Sequence, residues 1–223
     1  MVETPDNGYT DQDRQKLHSY NNRLYCHKTL RINFTKYDCR RDQNTINPQT
    51  HSDVIVLADK DEDAENMHPY WYARVIGIFH AMVGWAGAEG TTAFEQMDFL
   101  WVRWYGYDTH ARSGFKAHRL HQIGFLDSYE DKGAFGFIDP SDIIRAIHLI
   151  PAFKLGTSSE LLPPSIARRD DEGDEDYVRY YVGMWVLFPK YYELVLTENI
   201  GLLIVTCLHT FVDLAQDISR HET

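Results

Sequence analysis

The stretch that decides the fold begins with YWYARVIGIFHAMV, residues 70–83, and continues with MDFLWVRWYGYD, residues 97–108. HRLHQIGFLD, residues 118–127, and GFIDPSDIIRAIHLIPAF, residues 136–153, follow. These pieces are short, rich in aromatic and β-branched residues, and separated by glycine-bearing or charged breaks, which is typical of strands. The pattern predicts a mainly β fold, a small and strongly bent β-barrel with short helices.

Alternation along the strands assigns residues to faces. Leu100, Val102 and Trp104 fall on one face of residues 99–105, and Phe99, Trp101, Arg103 and Tyr105 fall on the other. We expect Val102 and Trp104 to point inward and Trp101, Arg103 and Tyr105 to point outward. A mid-strand Gly77 predicts a bulge or bend of the kind a small barrel needs.

The flanking segments complete the predicted organisation. Residues 1–23 are polar and are expected to be disordered, and residues 24–155 form the barrel domain. Within that domain we expect strands at 29–37 and 53–58, joined by a loop at 39–52. Residues 156–183 read as an acidic linker followed by a strand that returns to the barrel. Residues 184–223 have a helical apolar period and predict a C-terminal helix.

Charge is unevenly distributed along the 223 residues. The net charge is −11, but residues 1–52 carry +2, residues 53–155 carry −6 and residues 156–223 carry −7. A phosphate-binding face covering the whole domain is therefore not expected, because phosphate contacts need clustered Lys and Arg. Three cysteines without a CxxC pair favour a reducing compartment. The sequence contains no apolar run of about 20 residues, so it predicts no membrane span.

Six motifs carry a family resemblance: LYCHKTLRINFTKYDCRRDQNTINPQTHSDVIVLA, HPYWYARVIGIFHAMV, MDFLWVRWYGYD, RLHQIGFLD, GAFGFIDPSDIIRAIHLIPAF and YVRYYVGM. Together they resemble the C-terminal region of fungal Plavaka-type transposase-like proteins, relatives of the Kyakuja-Dileera-Zisupton group. The resemblance covers about residues 24–184 and departs from the family pattern after Met184. It implies a nuclear protein whose nuclease core lies upstream, so that this chain corresponds to the C-terminal region without the nuclease core.

A second resemblance concerns architecture. ARVIGIF, VRWYGYD and IDPSDIIRAIHLIP follow one another as the strands of a bromo-adjacent homology (BAH) domain do. That likeness implies a BAH- or SH3-like barrel that mediates protein contacts on chromatin. The leading hypothesis is thus a non-catalytic accessory module of a transposase-derived protein that binds chromatin or a protein partner.

Two sets of residues are candidates for binding. The aromatic face comprises Trp71, Tyr72, Trp101, Arg103 and Tyr105, with Trp104 beside them. Rings that converge near a carboxylate bind methylated ammonium groups through cation–π attraction, although the same rings can simply fill a small core. The basic element comprises Lys28, Arg31, Lys36, Arg40 and Arg41, interleaved with aromatic residues. It suits DNA contact or, alternatively, an ordinary solvated strand face.

Catalytic signatures are not recognisable in the sequence. The carboxylates Asp98, Asp108, Asp127, Asp139 and Asp142 fall at strand ends and turns, where Asp is common for local hydrogen bonding. His110, His118 and His121 have no cysteine near them in sequence and suit a polar loop better than a zinc site. We expect no enzyme activity, cofactor, metal or small-molecule substrate, and a nuclear or otherwise cytoplasmic location. A degenerate transposon remnant without activity is the remaining alternative.

Overall fold

The computed structural model describes residues 15–35, 40–58, 70–87, 90–91, 93–108, 113, 119–127, 133–169 and 173–183. Strands dominate this part of the chain, which confirms the predicted mainly β class. The first seven strands are β1 (Leu17–His27), β2 (Leu30–Thr35), β3 (Arg41–Ile46), β4 (Asp53–Leu57), β5 (Tyr70–Gly87), β6 (Gly90–Thr91) and β7 (Glu95–Tyr107). The others are β8 (Gln122–Phe125), β9 (Phe135–Ile138), β10 (Ile143–Ala146), β11 (Leu149–Pro151), β12 (Thr157–Ser158), β13 (Asp176–Tyr177) and β14 (Tyr180–Val182).

Ten of these strands form one antiparallel sheet. Its path runs β10-β4-β5-β7-β8-β14-β11, while β1 and β6 pair with β5 and β9 pairs with β7. The two strands at the ends of the path, β10 and β11, are separated only by residues 147–148. The sheet therefore curls back on itself as a half-barrel, consistent with the predicted bent barrel. Two further pairs, β2-β3 and β12-β13, are separate hairpin-like ladders.

The longest strand, β5, contains the predicted bulge. Its pairing with β7 shifts register between Val75 and Gly77. Because an extra residue in a strand reverses the alternation beyond it, Ile78 joins the same core cluster as Val75. The strict alternation that the sequence predicts along 70–83 is therefore wrong beyond the bulge. A Cβ at Gly77 would lie 2.3 Å from the Phe79 ring, which explains a glycine there.

Both faces of the sheet are buried near its centre. One core cluster contains Ile46, Val54, Val56, Ala73, Val75, Ile78, Leu100, Val102, Ile138 and Ile143, and the β2-β3 hairpin packs on it through Leu30 and Ile32. The second cluster contains Ile55, Tyr72, Tyr105, Ile123, Phe125, Leu149, Tyr180 and Val182. Strand β4 contributes to both clusters, so the strand predicted at 53–58 is buried on both faces.

The short helices among the described residues are two 3-10 turns, Pro140–Asp142 and Phe153–Leu155. Asp139 is the N-cap of the first turn, because its carboxylate accepts a hydrogen bond from the Ser141 backbone N–H at 2.7 Å. Pro140 occupies the first position of the turn. The turn leads directly into β10 instead of a longer helix. The predicted C-terminal helix, 184–223, lies outside the described residues.

Three boundaries predicted from the sequence need correction. Residues 17–23 belong to β1, which pairs with β5, so they are not part of a disordered segment. The predicted loop at 39–52 contains β3, which pairs with β2 over six residues. The predicted linker returns to the barrel as β14, as expected, but Leu162 and Asp176 before that strand are buried and are not part of a solvated linker. The barrel therefore extends beyond residue 155.

The contact between β8 and the chain before β14 provides a test of this packing. A Cβ at Gly124 would lie 2.8 Å from the Val178 carbonyl oxygen and 2.7 Å from Arg179 Nη1. We expect Gly124→Ala to lower the free energy of unfolding by about 1–3 kcal/mol, because the backbone must move to accept it. Gly173→Ala is the control, since a Cβ there meets nothing within 4 Å. Urea unfolding of both variants measures the difference, and equal stabilities would contradict this packing.

Candidate functional site

The predicted aromatic face is divided between the interior and the surface. Tyr72, Arg103 and Tyr105 are 2%, 3% and 6% exposed, so the prediction that Arg103 and Tyr105 point outward is wrong. The physical reason is that this face carries a core of its own, in which Tyr72 and Tyr105 pack with Phe125, Tyr180 and other buried residues. Burial raises the pKa of Tyr105 and of Tyr72 well above the usual tyrosine value. These side chains are not available to a partner.

An aromatic cage does form in this interior, but the chain fills it with its own cation. The Arg74 guanidinium lies 4.8 Å from the Phe125 ring centre and 5.9 Å from the ring centres of Tyr105 and Tyr180. Asp53 completes the arrangement: its Oδ1 accepts from Arg74 Nε at 3.0 Å and from the Tyr105 hydroxyl at 2.8 Å. Cation–π attraction and an ion pair thus stabilise a buried arginine.

A second buried cation lies beside the first. Arg103 is 3.8 Å from the centre of the Phe125 ring, and its Nη1 donates to Asp176 Oδ2 at 3.0 Å. Burial lowers the pKa of Arg103, and Asp176 opposes that shift. Arg168 Nη2 also lies 3.3 Å from Asp176 Oδ2, so the two arginines share this carboxylate. Arg168 and Asp176, which belong to the predicted acidic linker, therefore take part in a buried ion-pair network.

The tryptophans of the predicted aromatic face lie apart from this network. Trp71 is 39% exposed and meets the half-buried Trp104 edge-on, with ring centres 5.8 Å apart. Trp101 is half-buried and lies 6.0 Å from the Phe135 ring centre. Trp71 is therefore the one member of the predicted aromatic face that the structure leaves largely open to solvent.

Two members of the basic element, Arg31 and Arg41, lie on the outer face of the β2-β3 hairpin. Residues 31, 33 and 35 of β2 and 41, 43 and 45 of β3 are exposed, while the alternating residues face the sheet. Arg31 lies opposite Thr45, and Arg41 lies opposite Thr35. The two arginines are thus about 13 Å apart along the hairpin, since a strand rises about 3.3 Å per residue. Lys28 and Arg40 are also exposed, and Lys36 is outside the described residues.

The inner face of the hairpin attaches it to the barrel. The Arg145 guanidinium lies 4.5 Å from the Phe34 ring centre, and the Asn44 side chain accepts from the Ala146 backbone N–H at 3.2 Å. Asp42 is on this inner side, where its charge opposes the burial that lowers the pKa of Arg145. The one acidic residue of the two hairpin strands is therefore turned away from the cationic outer face.

A hydrogen-bonded cluster of Tyr107, Ser113 and His121 is the nearest approach to a nucleophile and base. The Tyr107 hydroxyl is 2.6 Å from Ser113 Oγ and contacts His121 Nδ1, which is 3.1 Å from Ser113 Oγ. Two hydroxyls thus compete for one imidazole nitrogen, which binds only one proton at a time. The arrangement links β7 to the residue before β8, and it does not isolate a serine–histidine pair.

Neither a metal-binding cluster nor a membrane-crossing helix occurs in the part of the chain that the structure describes. No group of three or more His, Cys, Asp or Glu side chains in those residues is arranged to hold a metal ion. Likewise, none of the helices found there has the length and apolar character to cross a membrane. No family model, curated protein or solved structure matches this chain.

The buried ion-pair network yields a stability prediction. Asp176→Asn removes the charge that Arg103 and Arg168 share, and leaves two buried guanidinium groups without their carboxylate. We expect the free energy of unfolding to fall by about 3–5 kcal/mol, the usual cost of breaking a buried pair from one side. Asp174→Asn, at an exposed position two residues away, is the matched control. Urea unfolding at neutral pH measures both, and similar losses in the two variants would contradict a structural role for Asp176.

Proposed function

We propose that this chain is a non-catalytic interaction module that binds nucleic acid through the outer face of the β2-β3 hairpin. The observation that carries the proposal is the segregation of charge on this hairpin. Arg31 and Arg41 face solvent and Asp42 faces the sheet, while the exposed Lys28 and Arg40 lie next to the two ends of the hairpin. The relationship to transposase-like proteins and a nuclear location remain predictions.

The electrostatics of the whole chain favour a localised contact. Residues 28–46 contain five Lys or Arg and two Asp, a net charge of +3 within a chain of net charge −11. The remaining surface repels a polyanion, so phosphate contacts are confined to the hairpin. The side chains between the arginines, Asn33, Thr35, Gln43 and Thr45, supply neutral hydrogen-bonding groups. Such groups contact phosphate and sugar oxygens in protein–nucleic acid interfaces.

Salt dependence of binding tests the proposal directly. With three or four cations engaged, we expect the logarithm of the binding constant to fall with the logarithm of salt concentration at a slope of about −3 to −4. The double variant Arg31→Gln, Arg41→Gln is expected to bind more weakly and to reduce the slope by about 2. Fluorescence anisotropy with a labelled short duplex, between about 50 and 200 mM salt, measures both values.

Lys154→Gln is the control, because Lys154 is an exposed cation on a distant 3-10 turn. It should leave affinity and slope unchanged. The proposal is rejected if wild-type protein does not bind at low salt, or if Lys154→Gln weakens binding as much as the hairpin variant does.

Protein binding at Trp71 is the second candidate function, and the exposed Trp71 edge against Trp104 favours it. Exposed tryptophans are frequent anchors of protein interfaces because they bury a large area with few rotatable bonds. Trp71 is therefore the accessible aromatic anchor that supports the leading hypothesis from the sequence, binding to chromatin or a protein partner. The interior residues Tyr72, Arg103 and Tyr105 do not contribute to it.

A histone-peptide assay distinguishes this second candidate. Wild-type protein is expected to bind one or more methylated or unmodified histone-tail peptides, and Trp71→Ala is expected to weaken that binding by about tenfold or more, as loss of a hot spot does. The Arg31→Gln, Arg41→Gln variant should retain it. Absence of binding to every peptide at the highest soluble concentration eliminates a histone-reading role.

A further inference from the structure

Three aromatic rings form a stack on β1 and β5, in which Tyr25 and His27 are exposed and His80 is half-buried. The Tyr25 ring is parallel to His80 within 8°, with centres 4.6 Å apart, and the His27 ring lies 4.8 Å from His80 on the same strand pair. His27 Nε2 is also 2.5 Å from His80 Nδ1. Tyr25 is 40% exposed, and His27 is exposed as well. The stack therefore presents aromatic surface to solvent on a strand pair that extends past β4.

The stack lies next to the cationic hairpin. Tyr25 is opposite His80 and His27 is opposite Ile78, so the rings share the sheet face of Ile78. That side chain belongs to the core cluster against which β2 packs. Lys28 follows His27 directly, and Arg31 is four residues from His27, at most about 14 Å along the chain.

We propose that this stack and the hairpin together bind single-stranded nucleic acid, with bases stacking on Tyr25 and the backbone running to Lys28 and Arg31. The inference rests on the proposed function and specifies its substrate. An aromatic ring beside a cationic strip is the combination that binds single strands without sequence preference, because every base has a π-face and every linkage has a phosphate. The His27–His80 contact holds the two strands together under the Tyr25 ring.

Duplex nucleic acid offers less to this surface. Bases in a duplex are stacked on each other and are not available to an aromatic side chain without unpairing. A duplex can therefore use only the cations of the hairpin, whereas a single strand uses the cations and Tyr25. The structure thus predicts a preference for single strands that depends on Tyr25 and not on the arginines.

The experiment compares a labelled oligodeoxythymidine with a duplex of the same length, using the full chain. Wild-type protein is expected to bind the single strand about tenfold more tightly than the duplex, as one good stacking contact provides. Tyr25→Ala should lose about this factor for the single strand and leave duplex affinity unchanged. Tyr25→Phe, which keeps the ring, should restore it. Phe153→Ala removes an exposed ring elsewhere and should have no effect.

The outcomes separate this inference from the proposed function. Salt-dependent binding of both probes with equal affinity, or a Tyr25→Ala variant that matches wild type or loses duplex binding equally, overturns the single-strand inference and leaves the hairpin proposal standing. Failure of wild-type protein to bind either probe overturns both. Far-ultraviolet circular dichroism and a thermal melt confirm that each variant is folded, so a loss of affinity cannot be assigned to unfolding.

Discussion

A buried guanidinium on the central strand constrains how the rest of the chain folds. Arg103 is buried against Phe125, and an arginine in that position needs a carboxylate, because burying an unpaired charge costs several kcal/mol. The carboxylate comes from Asp176, 73 residues later in the sequence. This single requirement attaches the acidic segment to the barrel and aligns the chain so that β14 pairs with β8 and β11. The barrel is consequently incomplete without residues beyond 155.

Strands were predictable from the sequence where burial dictates their composition. The strands β4, β5 and β7 are buried on both faces around the bulge, and their apolar and β-branched residues reflect that environment. The strands β1 and β3 were missed because LHSYNNRLYCH and RDQNTI are largely polar. β1 pairs with β5 and β3 pairs with β2, and both partners have a clear apolar strand pattern. Pairing with these partners stabilises β1 and β3, although their own residues have a low strand propensity. Local composition contains no signal for such pairing.

The candidate site is predictable from the sequence only where one face of a strand is solvated. Alternation sorts residues into two sets but does not say which set faces solvent, and both faces of β7 are buried near its centre. Arg103 and Tyr105 were therefore assigned to the wrong side, and the buried carboxylates that could have revealed this lie far away in sequence. On β2, by contrast, one face is solvated, and alternation places Arg31 outside. Arg41 falls in a predicted loop, and only the pairing of β3 shows that it shares the outer face. The Tyr25 stack was missed because the strand that carries it was missed.

The division of aromatic and charged residues explains why a cationic face remains on a chain this acidic. Most of the ring area of the barrel is used internally, where Tyr105, Phe125 and Tyr180 surround Arg74, and two acidic side chains, Asp53 and Asp176, neutralise interior cations. Because these two carboxylates are paired with buried arginines, they do not offset the positive charge of the exposed cations. The hairpin repeats this arrangement on a smaller scale, since its acid faces inward and its arginines face outward. A local excess of positive charge in a field of negative charge attracts a polyanion at one place only, which is the property that an oriented, non-catalytic contact requires.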